Sequence, residues 1–594
     1  MTALQEREDD VRATAPMPRH FQVMHSMIAR RVRGRTVLAV FVSVVLLYLV
    51  GGPLVMLFGS AFQHSEFGLP FSSQSVWTFR NFTTVFGAGQ TYSVLGSTLE
   101  FALCSLAVAM VISLAFSWLI ERTNLPFRNL MFVLIVAPSG IPLLITSISW
   151  SLLLNPTNGV INGVLHPILG FKINVYSMLG MIFVQAFGMV PLTFLLITGS
   201  LRSMNGVLED AAEASGASRW TVLRKITIPL MTPALLGAGI YEFVNSVENV
   251  DVPLVLGLPG HVHVLSTTIY NNTHPATGLP DYGLSGTYGM FLLVLALGPL
   301  IAYDRAIGSR GKYATITGRT YRPRTVDLGR WRWPIFGGAV GYVLVSFIIP
   351  LLILVWASIQ PVYTGINRAA WHRITFHQWT SIWSTGSVGS AIRNTLVLGV
   401  SVALLTMAFS LLVAWVIVRS RSRFTWVLDL LSFMPHAIPG VVIGVSVLLL
   451  YLLLPLPVYG TIWIVVIAQV TLFVSLGTRL MGSAIAQTQV VLEDAAAASG
   501  APMRRTWTRV LIPLIRPAFF NGCLLVFMAS MQNLTLPLML ASANNTVMSS
   551  LIWDRWNYGL PTQAAVLSLV MTAITVTIAT LLRGGGTHRA AASV

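Results

Sequence analysis

The sequence predicts an all-α integral membrane protein of about twelve transmembrane helices, arranged as two parallel six-helix repeats. Three observations predict it. Apolar residues make up 55% of the 594 residues and charged residues only 10%, where a soluble domain carries about 25% charged. The apolar residues gather in runs of roughly 17 to 25, the length of a bilayer-crossing helix. Finally, the segment from Leu208-Glu209-Asp210-Ala211-Ala212 to Pro229 and Pro233 returns 284 positions later, as Leu492-Glu493-Asp494-Ala495-Ala496 to Pro513 and Pro517.

The apolar runs fall near 36–59, 94–120, 129–153, 176–199, 234–256, 287–303, 335–357, 391–418, 426–453, 459–480, 518–540 and 562–582. A helix rising about 1.5 Å per residue needs this length for a core about 30 Å thick, whereas barrel strands need only about 9 to 11 residues. In hydrocarbon a helix also satisfies its own backbone groups. A helical bundle follows.

Basic residues orient it. The tail 1–35 carries Arg7, Arg12, Arg19, Arg30, Arg31, Arg33 and Arg35, and the segment 304–333 is similarly rich, with Arg305, Arg310, Lys312 and Arg319 among others. The loops on the opposite side are poor in Lys and Arg. By the positive-inside rule both termini and the linker are cytoplasmic, which demands an even number of spans. The net charge of +17 is spread over short loops, so topology and anionic lipid account for it better than nucleic acid. The tail lacks the small-residue cleavage site of a signal peptide, so the first span is expected to stay as an anchor. Cys104 and Cys523 both lie in apolar runs, and neither a disulfide framework nor a metal site is expected.

The repeat extends beyond the doubled segment. Thr98, Trp118, Arg122, Pro138 and Pro142 return 297 positions later as Thr395, Trp415, Arg419, Pro435 and Pro439, while Gln185 returns 284 later as Gln469. The difference falls in the Gly/Pro/Asn-rich stretch from Asn155 to Tyr176, an external loop, so the spans keep register. The organisation expected is a cytoplasmic tail 1–35, a first repeat 36–303, a cytoplasmic linker 304–333, a second repeat 334–583 and a cytoplasmic tail 584–594. Identical orientation of the halves sets this apart from inverted-repeat carriers. The external stretches 60–93 and 358–390, with Trp77, Phe82, Trp371, Trp379 and Trp383, suit either headgroup-level packing or an external partner.

Each copy of the doubled segment reads as two short helices meeting at a glycine, Gly216 or Gly500, where a positive φ ends one and starts the next. The second short helix is expected to stop before Pro229 or Pro513. Ala211, Ala212, Ala495 and Ala496 leave room for a neighbouring surface. This segment resembles the coupling loop of permease subunits of binding-protein-dependent ATP-binding-cassette importers: Glu-Ala-Ala, three residues, Gly, nine residues, Ile, any residue, Leu-Pro. Asp210-Ala211-Ala212, Gly216, Ile226 and Ile228-Pro229 match it, as do Asp494-Ala495-Ala496, Gly500, Val510 and Ile512-Pro513. Asp replaces Glu, with Glu209 and Glu493 one position earlier, and Ile replaces Leu.

The resemblance implies a type I importer permease-like fold in the bacterial inner membrane. It implies that Glu209, Asp210, Ala211, Ala212, Gly216 and Pro229, with Glu493, Asp494, Ala495, Ala496, Gly500 and Pro513, couple to two cytoplasmic ATP-binding-cassette subunits. ATP and Mg are expected on those subunits, and no cofactor or metal on this chain. An extracytoplasmic solute-binding protein is implied as the other partner. Pro253 to Gly257, Pro435 to Gly440 and Ser550 to Asp554 are similar to the ferric-iron, polyamine, sulfate and phosphonate permease group, which implies ferric iron or a related small polar or ionic solute as cargo. The chain is not expected to be an enzyme: the nearest phosphate-loop lookalike, Gly311-Lys312, lacks the first glycine at Ala306 and the hydroxyl partner at Tyr313.

Candidates for the solute path follow from polarity at membrane depth. Pro138 and Pro142, like Pro435 and Pro439, break helices where only protein or a water-lined cavity absorbs the freed carbonyls. His436 between them suits solute contact or plain packing. Glu242, Glu248 and Asp251 in the fifth span are costly unless paired, hydrated or functional; Glu248 and Asp251 are expected on one helical face. Gln532 and Asn533 stand at the matching place in the second half. The same carboxylates motivate the alternative of a proton- or sodium-coupled secondary transporter. An intramembrane enzyme lacks convincing ligand spacing, and a passive channel has no need for two docking loops.

Overall fold

A computed structural model of the chain describes residues 36–65, 69–204, 207–307, 326–384, 386–420 and 425–591. The basic tail 1–35, most of the 304–333 linker and Gly206 lie outside the described residues. Among those described, ten helices are long and apolar enough to cross a bilayer: Thr36–Ala61, Gly89–Arg122, Met178–Arg202, Trp220–Glu248, Tyr282–Pro299, Gly329–Ser358, Ser387–Arg419, Ile462–Ala486, Met503–Gln532 and Pro561–Ile578. Two further pairs qualify only as bent units, Arg128–Gly140 with Leu143–Leu154 and Thr425–Ala437 with Gly440–Leu453, turning by 94° and 105°. The runs 129–153 and 426–453 are therefore broken rather than straight. Pro142 and Pro439 sit at the breaks with ψ of 140° and 138°, extended values that turn the chain out of one helix and cap the next.

Small residues bring the long helices together. Along Gly89–Arg122 the buried stripe Ser105, Ala109, Ser113 and Ser117 repeats every four residues and presents little bulk to Met178–Ser203. Without a hydrophobic force between helices in lipid, close backbone approach and interhelical hydrogen bonds do this work. The Ser113 hydroxyl donates to the Val190 carbonyl at 3.2 Å. In the second half, Ser410 of Ser387–Arg419 donates to the Val474 carbonyl of Ile462–Ala486, also at 3.2 Å. Large apolar side chains such as Leu103 and Val111 remain exposed on the outer faces, as lipid contact requires.

Several helices pass a proline by a common device. Widened π turns cover Leu47–Gly51, Leu223–Thr227, Leu344–Ile348 and Trp507–Leu511, each two residues ahead of a proline: Pro53, Pro229, Pro350 and Pro513. Proline lacks an N–H and crowds the carbonyl four residues back, and one extra residue in the preceding turn relieves the clash without ending the helix. The second short helices of the doubled segment consequently do not stop before Pro229 and Pro513. They run on into Trp220–Glu248 and Met503–Gln532.

The fifth run, placed at 234–256, ends at Glu248. There the Asn249 side chain accepts the Val252 N–H at 3.0 Å and opens a new segment. Asn533 does the same for Leu536 at 3.0 Å, ending the run placed at 518–540. Glu248 and Asp251 therefore do not share a helical face. Among the described residues, the all-α expectation meets a two-residue strand pair, Gln63–His64 with Val76–Trp77, in the 60–93 segment, and an isolated bridge between Thr123 and Val326.

Candidate functional site

Two regions gather the candidate residues. The first is the pair of elbows. In the first, Val207–Ala214 holds Glu209, Asp210, Ala211 and Ala212; in the second, Val490–Ala498 holds Glu493 to Ala496. Gly216 has φ +85° and Gly500 φ +74°, a region costly for residues with a Cβ. The chain reverses there through Ala217 N–H to Ala212 carbonyl and Ala501 N–H to Ala496 carbonyl, both 3.0 Å, the six-to-one bond of a Schellman turn. Gly500→Ala is expected to cost about 1 kcal/mol locally, read as faster protease cleavage within 490–513; unchanged cleavage would remove the glycine's role.

Glu209 and Glu493 are buried, and both turn toward the membrane body. The Glu493 carboxylate accepts from Arg419 Nε at 2.9 Å, with both side chains 7% exposed. Arg419 Nη2 also donates to the Ile485 and Thr488 carbonyls at 3.1 and 3.0 Å. In the first half Glu209 accepts from Thr227 Oγ1 at 2.7 Å and lies 3.7 Å from Arg122. These two carboxylates thus anchor the elbows to the ends of the Gly89–Arg122 and Ser387–Arg419 helices. That leaves Ala211, exposed on the other side of the first elbow, and Asp494 and Ala495 on the second, as the outward surface. In sequence Arg122 and Arg419 stand out only as a repeat match; an arginine closing the same apolar run in both halves is the signal that marks them.

The linker returns beside the first elbow. Val326 donates to the Arg122 carbonyl at 2.7 Å, and its own carbonyl accepts the Asn124 N–H at 3.2 Å. The Gly329 N–H and the Asn124 amide hold the Asp327 carboxyl below its usual range. The backbone of the first half is thereby tied to the entry of the helix Gly329–Ser358.

The second region is a cavity of about 530 Å³ between the halves. Glu248, Asp251, His436, Gln532 and Asn533 all line it. Tyr241 and Arg479, which the sequence did not single out, line it as well. The His436 ring stacks on Tyr241, centroids 5.2 Å apart at 20°, so it is both packed and at the cavity wall. Arg479 pairs with Asp429 at 3.1 Å and lies over the Phe433 ring.

The remaining candidates are placed differently. Glu242 is buried outside the cavity lining, where its Oε1 accepts from Thr193 at 3.2 Å. Pro138, Pro142, Pro435 and Pro439 shape the breaks without lining the cavity. One lining carboxylate caps a helix start exposed by those breaks: Glu248 Oε2 accepts the Gly440 N–H at 2.6 Å. Orphan N–H groups and the positive end of the helix dipole favour a carboxylate at such a place. Among the described residues, no group of three or more His, Cys, Asp or Glu side chains could hold a metal ion.

Comparison with known proteins puts these features in a family. Residues 112–305 and 406–585, together more than half the chain and one window in each half, match the family described as "Binding-protein-dependent transport system inner membrane component". The ferric transport system permease protein FbpB of Actinobacillus pleuropneumoniae is 25% identical over 555 residues, covering 91% of this chain and 77% of its own length. The Fe(3+)-transport system permease protein FbpB 2 of Haemophilus influenzae is 22% identical over 488 residues, covering 81% of this chain and 88% of its own. A crystal structure of a bacterial alginate ABC transporter, in complex with its alginate pentasaccharide-bound periplasmic protein, aligns with 48% of this chain and 97% of its own at 18% identity and a TM-score of 0.39. The chain, many times membrane-spanning and carrying both matched windows, belongs to the binding-protein-dependent transport system inner membrane components: it is a permease subunit of an ATP-binding-cassette importer, not an enzyme.

Proposed function

We propose that the chain forms both halves of the importer's pore as two parallel six-helix repeats, residues 36–303 and 334–583, joined by a cytoplasmic linker. Both termini lie in the cytoplasm. The elbows 207–229 and 490–513 dock on two ATPase subunits, which bind ATP and Mg, and an extracytoplasmic binding protein delivers cargo at the other face. The cargo is ferric iron or a related small polar or ionic solute, in line with the names of the two relatives above. The cavity between the halves is the passage.

One observation carries the coupling role: the same elbow occurs twice, each anchored to a long helix through a buried Arg and Glu and each continuous with a spanning helix through a π turn. A push on an elbow is therefore delivered along Trp220–Glu248 or Met503–Gln532, whose far ends reach the cavity at Glu248 and Gln532. Tilting one access state over the other almost completely needs a differential of about 5.5 kcal/mol, which the ATPase subunits supply through their unequal affinity for the two states.

The test is uptake. Vesicles holding this chain, its ATPase subunits and the binding protein are expected to accumulate labelled ferric ion only with ATP, and replacing Gly216 and Gly500 together by valine is expected to reduce uptake at least about tenfold. Uptake driven by a proton or sodium gradient with no ATPase present would select the secondary-transporter reading instead.

A further inference from the structure

The broken helices are gripped from the opposite half. Glu248 is the last residue of its helix in the first half, and its Oε2 takes the N–H of Gly440, which follows the Pro435–Pro439 break of the second half. Gln532 is the last residue of the matching helix in the second half. Its Nε2 donates at 3.0 Å to the carbonyl of Ser139, between Pro138 and Pro142 of the first half. The two contacts are crosswise and complementary: one break exposes an N–H and meets a carboxylate, the other exposes a carbonyl and meets an amide.

Their position along the passage is also defined. Both helices start at the elbows, so Glu248 and Gln532 stand at the ends farthest from them. The cavity continues from there past Ser475 and Leu476 to Arg479, which lies in the last two turns of Ile462–Ala486, the end that leads into the second elbow. The cavity thus extends to the elbow side of the two contacts.

The geometry points to Glu248 and Gln532 as the two latches of a gate that closes the passage on the side away from the elbows. Each joins one half to the other, so each adds its own resistance to the halves parting at this level. A pull transmitted from an elbow acts on the very helix whose last residue is the latch. The carboxylate-to-backbone contact at a helix start is the stronger of the two, since a charged acceptor meets the positive end of a helix dipole. Releasing Glu248 therefore opens the gate more than releasing Gln532 does. The proposal rests on the cavity being the passage, and it does not depend on ATPase docking.

The experiment is thiol labelling of the full chain in membrane vesicles. Cys104 and Cys523 are replaced by serine, and Ala529→Cys reports on the cavity, which Ala529 lines. In a separate vesicle sample, Ser499→Cys on the exposed second elbow marks the elbow face. A membrane-impermeant maleimide is then added from the opposite face. The parent is expected to label slowly. Glu248→Ala is expected to label at least about tenfold faster, Gln532→Ala about threefold faster, and Glu248→Gln, which keeps an acceptor for the Gly440 N–H but not the charge, at a rate between the parent and Glu248→Ala. Fast labelling of the parent from that face overturns the gate, as does an unchanged rate in both alanine variants. If Glu248→Ala does not fold, Gln532→Ala, whose side chain only meets a carbonyl, decides alone. Because no ATPase or binding protein is present, a failure here is separable from a failure of ATP-driven uptake.

Discussion

Arg419→Ala is expected to destabilise the second half by about 3–5 kcal/mol, the range for breaking a buried ion pair from one side. Arg419 and Glu493 are each 7% exposed. Removing the guanidinium strands the Glu493 carboxylate and strips the Ile485 and Thr488 carbonyls of their donor. Thermal unfolding of the purified protein in detergent measures the loss, and limited proteolysis shows whether the second elbow comes free. Replacing both partners by apolar residues, Arg419→Met with Glu493→Leu, is expected to recover most of the stability, because the desolvation penalty then disappears with the charges. Arg202→Ala is the contrast. Arg202 also contacts a carboxylate, Glu121, which is 9% exposed, yet its own side chain is 57% exposed, so water can reach the space the guanidinium leaves and the loss is expected to be smaller, about 1–3 kcal/mol. Equal losses from the two substitutions would show that burial is not what makes the Arg419 anchor strong.

Gly477→Val is expected to cost about 2–4 kcal/mol, combining overpacking with a lost hydrogen bond. A Cβ at Gly477 collides with Ser410 Oγ and comes 2.9 Å from its Cβ, with Thr406 Cγ2 at 3.3 Å. Ser410 has nowhere convenient to move, since its hydroxyl is committed to the Val474 carbonyl. The Ser387–Arg419 and Ile462–Ala486 helices must therefore separate, and the elbow anchor at Arg419 lies on the first of them. Gly482→Val on the same helix is the control, because nothing lies near its Cβ; it is expected within about 0.5 kcal/mol of the parent. If the two variants melt together, the close approach at Gly477 does not hold these helices.

Features set by a single residue were legible in the sequence; features set by packing were not. Gly216 and Gly500 were readable because a sharp reversal between helix-forming stretches calls for a positive φ, and φ belongs to a single residue. The breaks at Pro142 and Pro439 were readable for the same local reason. Pro229 and Pro513 read as stops in sequence but lie within continuing helices: whether a helix ends at a proline or widens ahead of it depends on what the continuing helix gains by packing. Glu242 and Glu248 looked equivalent in sequence, six residues apart in one apolar run. Only their neighbours separate them, Thr193 on one side and Gly440 of the other half on the other.

By itself, the sequence determined that the chain spans a membrane as helices, that it contains one element twice, and where its backbone must bend. Hydropathy, repetition, glycine and proline act over a few residues or by plain counting, so they survive without coordinates. Tertiary structure decided which way Glu209 and Glu493 face, that Tyr241 and Arg479 share a cavity with Glu248, and that Glu248 and Gln532 each hold the opposite half. Those are relations between residues from about 70 to about 400 positions apart, and a hydrogen bond reaches only about 3 Å. No local pattern encodes which distant backbone group will stand within that reach once the helices have packed.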